Sequence, residues 1–213
     1  MTIALRLPLA RVVRGISAIP IVPIQKLLGI LWLGFGIYWA VSARQSGPTE
    51  TTEANWFRAL RFGILVTTFV LLLAPWLGFS ILDTRAYPDS FAMRWVGAVL
   101  TTAGIGLAVS ARRHLGKNWS DKVELKVDHQ LIRSGPYAYM RHPIYSGVLL
   151  GVAGTALAIG MVRGGVAFCL LLSSYAIKAR KEETVLAGKF GDEFREHQRN
   201  AGFLLPKFTR RGP

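Results

Sequence analysis

The sequence predicts an all-α, polytopic integral membrane protein with about five transmembrane helices. Three observations carry this. Several apolar runs reach the ~20 residues that a spanning helix needs, in a chain that is 51% hydrophobic with mean hydropathy +0.34. The alternating segments of ~10 residues that mark a membrane barrel do not occur. All 12 acidic residues fall outside the apolar runs, as they should where a carboxylate in hydrocarbon costs ~2.5–3.5 kcal/mol.

The first span covers 24–43 (IQKLLGILWLGFGIYWAVSA). The second covers 60–82, with Pro75 as an expected kink, since proline cannot sit in a helix ladder without breaking a bond. The third is 91–110, the fourth 143–161 and the fifth 164–179. Only the break at Val162, Arg163 and Gly164 parts the last two, so the spacing predicts a tight antiparallel helical hairpin. Before the first span, the run ISAIPIVPI reads as re-entrant or interfacial, because its prolines break it. The first 25 residues show no secretory cleavage signal. Past the fifth span, Val185, Leu186, Phe190 and Phe194 recur at helical spacing among charges. That predicts an amphipathic tail helix, lying on the membrane or folded under the spans. GFLLP at 202–206 then reads as a short apolar anchor.

Twenty-six Lys and Arg give a net charge of +14. In a membrane protein such an excess marks cytoplasmic loops and contact with anionic lipid. Without an aromatic-basic reading surface or zinc spacing, nucleic acid is not an expected partner. The connector at 111–142 and the tail from 178 hold most of these cations, and a hairpin would bring both to the cytoplasmic side. Cys169 has no partner for a disulfide and lies in an apolar run, where a thiol behaves as a small hydrophobe. The four histidines lack metal-ligand spacing, so no metal site is expected. Neither a phosphate-binding loop nor a strand-borne GxGxxG is present. Gly104 and Gly106 fall inside a span and serve close helix packing. Gly147, Gly151 and Gly154 suit packing within the bundle or between copies of the chain.

One constellation exceeds what a span requires. Asn118-Trp119-Ser120 precedes His129-Gln130-Leu131-Ile132, then GPYAYMRHPIYSG at 135–147, and Glu182-Glu183 follows span five. Singly, each piece has an ordinary role. Pro143 is a natural first helical residue, the tyrosines suit an interfacial belt, and Arg141 and His142 suit a basic loop. A belt, however, needs no histidine, and a packing stripe needs no paired glutamates.

Across 112–206, the motifs HLGKNWS, HQLIRSGPYAYMRHPIYSG and EE followed by FGDEF resemble the isoprenylcysteine carboxyl methyltransferase family and its phospholipid methyltransferase relatives. The resemblance implies an N-terminal transmembrane region at 1–111 and a catalytic region at 112–213. It implies S-adenosyl-L-methionine as cofactor, held at the cytoplasmic face by His129, Gln130, Leu131, Ile132, Tyr137, His142, Pro143, Ile144, Tyr145 and Glu182. It also implies a lipophilic methyl acceptor that enters from the bilayer. The family places an arginine four residues before the glutamate, for the acceptor carboxylate; here that residue is Lys178, with Arg180 two positions on. Lysine neutralises a carboxylate but cannot grip it bidentately. The implied reaction is O-methylation of an isoprenylcysteine-like carboxylate. N-methylation of a phospholipid amine, S-methylation of a hydrophobic thiol and a non-catalytic membrane role stand as alternatives. A carboxylate nucleophile needs no base, whereas an amine must shed a proton, with His142 or Glu183 as candidates to take it.

Overall fold

The structure, a computed structural model, describes residues 24–43, 54–74, 78, 80–116 and 131–208. Among these residues five α-helices follow in chain order: α1 (Ile24–Ala43), α2 (Asn55–Leu73), α3 (Phe91–Leu115), α4 (Pro143–Ile159) and α5 (Val162–Asn200). Short 3-10 turns stand at Ser80–Asp83 and Gly135–Ala138. Among the described residues there is no strand; isolated bridges join Arg85 to Met161 and Met140 to Gly202. By length and composition α1, α2, α3 and α5 can cross a membrane, and α4 is a shorter apolar helix of 17 residues.

Two expectations shift. The second span begins at Asn55 rather than near 60 and ends at Leu73. Ala74 has already left helical geometry (φ −110°, ψ 66°), as a residue before proline tends to do; Pro75 and its expected kink lie outside the described residues. The helix that holds the fifth span does not stop at 179. It runs on through the charged tail to Asn200, broken only at Gly191, whose φ of 51° favours glycine. The segment ISAIPIVPI lies outside the described residues except for Ile24.

The bundle centres on α3 and α4. A Cβ added to Gly104 would meet the Gly151 nitrogen at 2.3 Å, and one added to Gly147 would meet Ala108 N and Gly104 O at 2.6 Å. The two backbones therefore touch, as small residues permit in membranes. Gly151 and Gly154 join the seam, whereas Gly106 faces open space. Across the seam Thr101 and Thr155 hydroxyls lie 3.1 Å apart, and Trp32 of α1 donates its indole N–H to Thr155 Oγ1 at 2.9 Å. All five helices contribute to one apolar core, including Trp32, Leu72, Ala108, Val152 and Leu171. Gly160, in the left-handed region, and Met161 alone separate α4 from α5. Beside this junction Arg163, 1% exposed, donates to Leu71 O at 2.7 Å and pairs with Asp83 at 3.1 Å. It thereby satisfies a carbonyl at the end of α2 that no helical N–H can reach.

Candidate active site at the start of α4

At the other end of α4 the connector turns on Gly135 (φ 58°). A side chain there would run into the His114 ring, and His114 Nε2 lies 2.9 Å from Ser134 Oγ, tying the connector to the end of α3. The Gly135–Ala138 turn buries Tyr137 among Ala111, Ile144 and Ile132. Burial, reinforced by the negative charge of Glu182 and opposed by Arg112, pushes its phenol above the ordinary pKa. His142 then caps α4, accepting on its carbonyl the first helical bond, from Ser146 N at 3.0 Å. Pro143 occupies the first helical position, where its missing N–H costs nothing.

From the opposite side α5 presents Tyr175, Lys178 and Glu182, spaced i, i+3, i+7 on one face. Glu182 Oε1 accepts from the Tyr145 hydroxyl at 2.6 Å and lies 3.7 Å from Lys178 Nζ. His142 bridges the two glutamates: Nδ1 is 3.5 Å from Glu182 Oε2 and Nε2 is 3.2 Å from Glu183 Oε1. Successive helical residues point ~100° apart, and the imidazole fills that angle. Burial disfavours the charged ring, but hydrogen bonds and charge from Glu182 and Glu183 outweigh it and hold the His142 pKa above its ordinary value. The ring stacks on Tyr145 at 5.5 Å with 5° between planes, and Tyr175 lies 4.7 Å beyond.

The chain's end closes over this cluster. Arg141 donates from Nε to Glu183 at 2.6 Å and from Nη1 to the Gln198 and Ala201 carbonyls. Gln198 also donates to Glu183 Oε2 at 3.1 Å. Residues 202–207 pair with the connector through Arg141 N to Gly202 O, Gly202 N to Tyr139 O and Lys207 N to Tyr139 O. Ser146 Oγ donates to Leu204 O at 2.6 Å, and Phe203 meets the His142 ring edge-on at 5.4 Å.

The structure therefore brings Ile132, Tyr137, Ile144 and Tyr145 into one apolar cluster, with His142, Pro143, Lys178 and Glu182 beside it. Leu131 is half-buried at the connector's edge. Arg180 is exposed, while Lys178 is buried beside Glu182. His129, Gln130 and Asn118 to Ser120 lie outside the described residues. Sequence reasoning missed Tyr175, Gln198 and Phe203, and it gave Glu183 only a candidate base role. Tyr175 was legible in principle from its helical spacing to Glu182. No local signal marks Gln198 or Phe203, whose place depends on how the tail folds back.

A sequence model of the phospholipid methyltransferase family matches residues 92–193. The protein-S-isoprenylcysteine O-methyltransferase of Schizosaccharomyces pombe is 28% identical over 180 residues, 78% of this chain and 76% of the relative. The human protein of that name is 29% identical over 64% of this chain and 50% of its own length. The cobalt-zinc-cadmium resistance protein CzcN of Cupriavidus metallidurans is 33% identical over 79% of this chain and 74% of its own. A solved eukaryotic intramembrane Ras methyltransferase, isoprenylcysteine carboxyl methyltransferase, superposes with TM-score 0.51 at 23% identity, over 70% of this chain and 52% of that one; the likeness is one of fold. The chain thus spans about half the length of the human relative and of the solved structure, and about three quarters of the yeast one. Fold and site define an integral membrane protein with a polar, aromatic-lined cluster at one end of its bundle. The chain belongs to the phospholipid methyltransferase family of membrane methyltransferases, and its relatives there include the protein-S-isoprenylcysteine O-methyltransferases.

Proposed function

We propose that the protein uses S-adenosyl-L-methionine to O-methylate the carboxylate of an isoprenylcysteine-like lipophilic acceptor, at a site facing the cytoplasm. The observation that carries this reading is the cluster of His142, Tyr145, Lys178, Glu182 and Glu183 at the polar end of an apolar bundle. Its donor set suits the cofactor. Carboxylates and the Tyr145 and Tyr175 rings attract cations, the start of α4 offers backbone N–H groups to an anion, and Ile132, Ile144 and Tyr137 form an apolar wall for a purine. When bound, the cofactor supplies an electrophilic methyl group on a sulfonium. The family resemblance adds His129, Gln130 and Leu131 to the proposed cofactor contacts. Lys178, buried on the cluster, offers a cation to the acceptor carboxylate, and exposed Arg180 is the alternative.

The contacts of His142 suit a carboxylate acceptor better than an amine. Both ring nitrogens face carboxylate oxygens, which only accept hydrogen bonds. A ring turned to two carboxylates in this way is poorly placed to take a proton from an ammonium headgroup. An acceptor already ionised needs only alignment and exclusion of water. Titration of folded protein with S-adenosylhomocysteine should saturate. Labelled methyl should pass to farnesylcysteine in preference to phosphatidylethanolamine. A folded sample without saturable binding refutes the reading.

A further inference from the structure

The first half of α2 lies against the site end of α5 and carries one misplaced-looking charge. From Ala54 to Thr67 every residue is exposed except Phe57, Arg61, Ile64 and Leu65. That spacing defines a single inward stripe, continued by buried Thr68, Leu71 and Leu72. The flanking Trp56, Leu60 and Phe62 are 69%, 51% and 66% exposed, as lipid-facing residues are. Arg61 is thus a cation on the inner face of a membrane helix, whereas a residue serving only the basic side of the membrane has no reason to turn inward. Arg58 shows the contrast: less than one turn earlier, it is exposed.

The surroundings of Arg61 point to the site. Its guanidinium carbon stands 5.4 Å from the Phe57 ring centroid, and Lys181 Nζ stands 3.5 Å from the same ring. The α2 stripe therefore adjoins the turn of α5 that holds Glu182. Arg61 also lies within electrostatic range of Tyr145, whose ring has Lys178 Nζ 5.5 Å from its centroid. Lys178 of α5 thus lies over the Tyr145 ring, with Arg61 of α2 in electrostatic range of the same tyrosine. With Arg141 they set three cations around the two carboxylates Glu182 and Glu183. A guanidinium has five N–H donors in a planar fork, so it can keep existing partners and still present an edge to a carboxylate.

We propose that Arg61 is a specificity-determining residue that binds the acceptor carboxylate together with Lys178, at the seam between α2 and α5. This rests on the carboxylate-methylating reading above and adds the bidentate grip that Lys178 lacks. The seam runs beside the exposed apolar residues Trp56, Leu60 and Phe62 of α2, so an acceptor lying in the bilayer would bring its head to both cations while its tail stays in hydrocarbon.

The test uses the full chain in lipid, with S-adenosylhomocysteine binding measured apart from methyl transfer to farnesylcysteine. Arg61→Ala should raise the acceptor KM about tenfold, the ratio expected for one charge-assisted contact. It should leave S-adenosylhomocysteine affinity within about twofold of wild type. The preference for farnesylcysteine over its carboxamide, read by competition, should collapse in Arg61→Ala and partly return in Arg61→Lys. Arg58→Ala should match wild type. Should Arg61→Ala fail to bind S-adenosylhomocysteine, Arg61→Gln, similar in length, takes its place in the same comparison. An unchanged KM and acid-over-amide preference in a variant that still binds S-adenosylhomocysteine overturns the role of Arg61 alone. Wild-type protein that binds S-adenosylhomocysteine but methylates no lipophilic carboxylate overturns the carboxylate reading, and the role of Arg61 with it.

Discussion

Cutting the contact between Arg141 and Glu183 should loosen the chain's end from the start of α4. The pair is 2.6 Å apart, with side chains 12% and 14% exposed, so water screens it little. Glu183 accepts two further bonds, from His142 at 3.2 Å and Gln198 at 3.1 Å. A charge-assisted bond of this kind contributes ~1.5–3 kcal/mol. Glu183→Gln keeps the shape, removes the charge and leaves Arg141 facing a neutral amide, at an expected cost of ~2–4 kcal/mol, below the ~3–5 of a fully buried broken pair. Arg141→Met loses this bond and also those to the Gln198 and Ala201 carbonyls. Because the two changes share one interaction, the double variant should be ~1.5–2 kcal/mol more stable than the sum of the single losses implies. Unfolding in mixed micelles, followed by loss of helicity, measures the cycle, and protease cleavage within 201–208 reports the local opening. A coupling under ~0.5 kcal/mol would mean that the tail is held by its backbone pairing and packing, and would refute the role given to this ion pair.

Gly104 and Gly106 should respond in opposite ways to alanine. A methyl at 104 meets backbone at 2.3 Å, and backbone cannot rotate aside, so Gly104→Ala should cost ~1–3 kcal/mol by thermal unfolding in detergent. Gly106→Ala enters open space and should be neutral or gain up to ~1 kcal/mol from helix propensity; equal effects at both positions would contradict the packed seam. The pH dependence of stability has a definite sign at His142. Its folded pKa is raised, so its contribution is full below the unfolded value of ~6.5 and is lost as pH rises through the folded value. The stability gap between wild type and His142→Gln should therefore be widest in mild acid and shrink toward alkaline pH. A gap that is flat or grows with pH would show that the ring is not held in its charged form.

Several features were legible because they depend on neighbours in the chain. The span at 24–43 coincides with α1, where an apolar run ends at a basic residue. Pro143 announced the start of α4 because only a first-turn position tolerates it without loss. Boundaries failed where hydropathy and helix geometry part company. The second span was read from its apolar centre, yet Asn55 to Ala59 continue the helix outward although Asn55 and Arg58 are polar. The fifth was cut at 179 because charges follow, but charge does not stop a helix; α5 runs until Gly191 breaks it and so carries Glu182 and Glu183 on a rigid rod. Of the site, the first turn of α4 and Glu182 could be read from local motifs. Tyr175, Gln198 and Phe203 were missed, because their partners are 15 to 61 residues away and only Tyr175 has a helical spacing that points to the site.

The sequence by itself determined an all-helical membrane protein, since long apolar runs without carboxylates leave the backbone no other way to satisfy its hydrogen bonds in lipid. It also determined which short motifs hold the polar chemistry, because residue type alone decides what can carry charge or stack. Only the tertiary structure decided which of those groups meet. Whether Lys178 or Arg180 faces the cluster depends on the rotation of α5 about its axis. Whether Arg61 turns toward α5 or toward lipid depends on the packing of α2. That His142 spans two glutamates depends on α4 and α5 approaching within a side chain's length. These are relations between helices, set by the glycine seam and the shared core, and no window along one helix contains them.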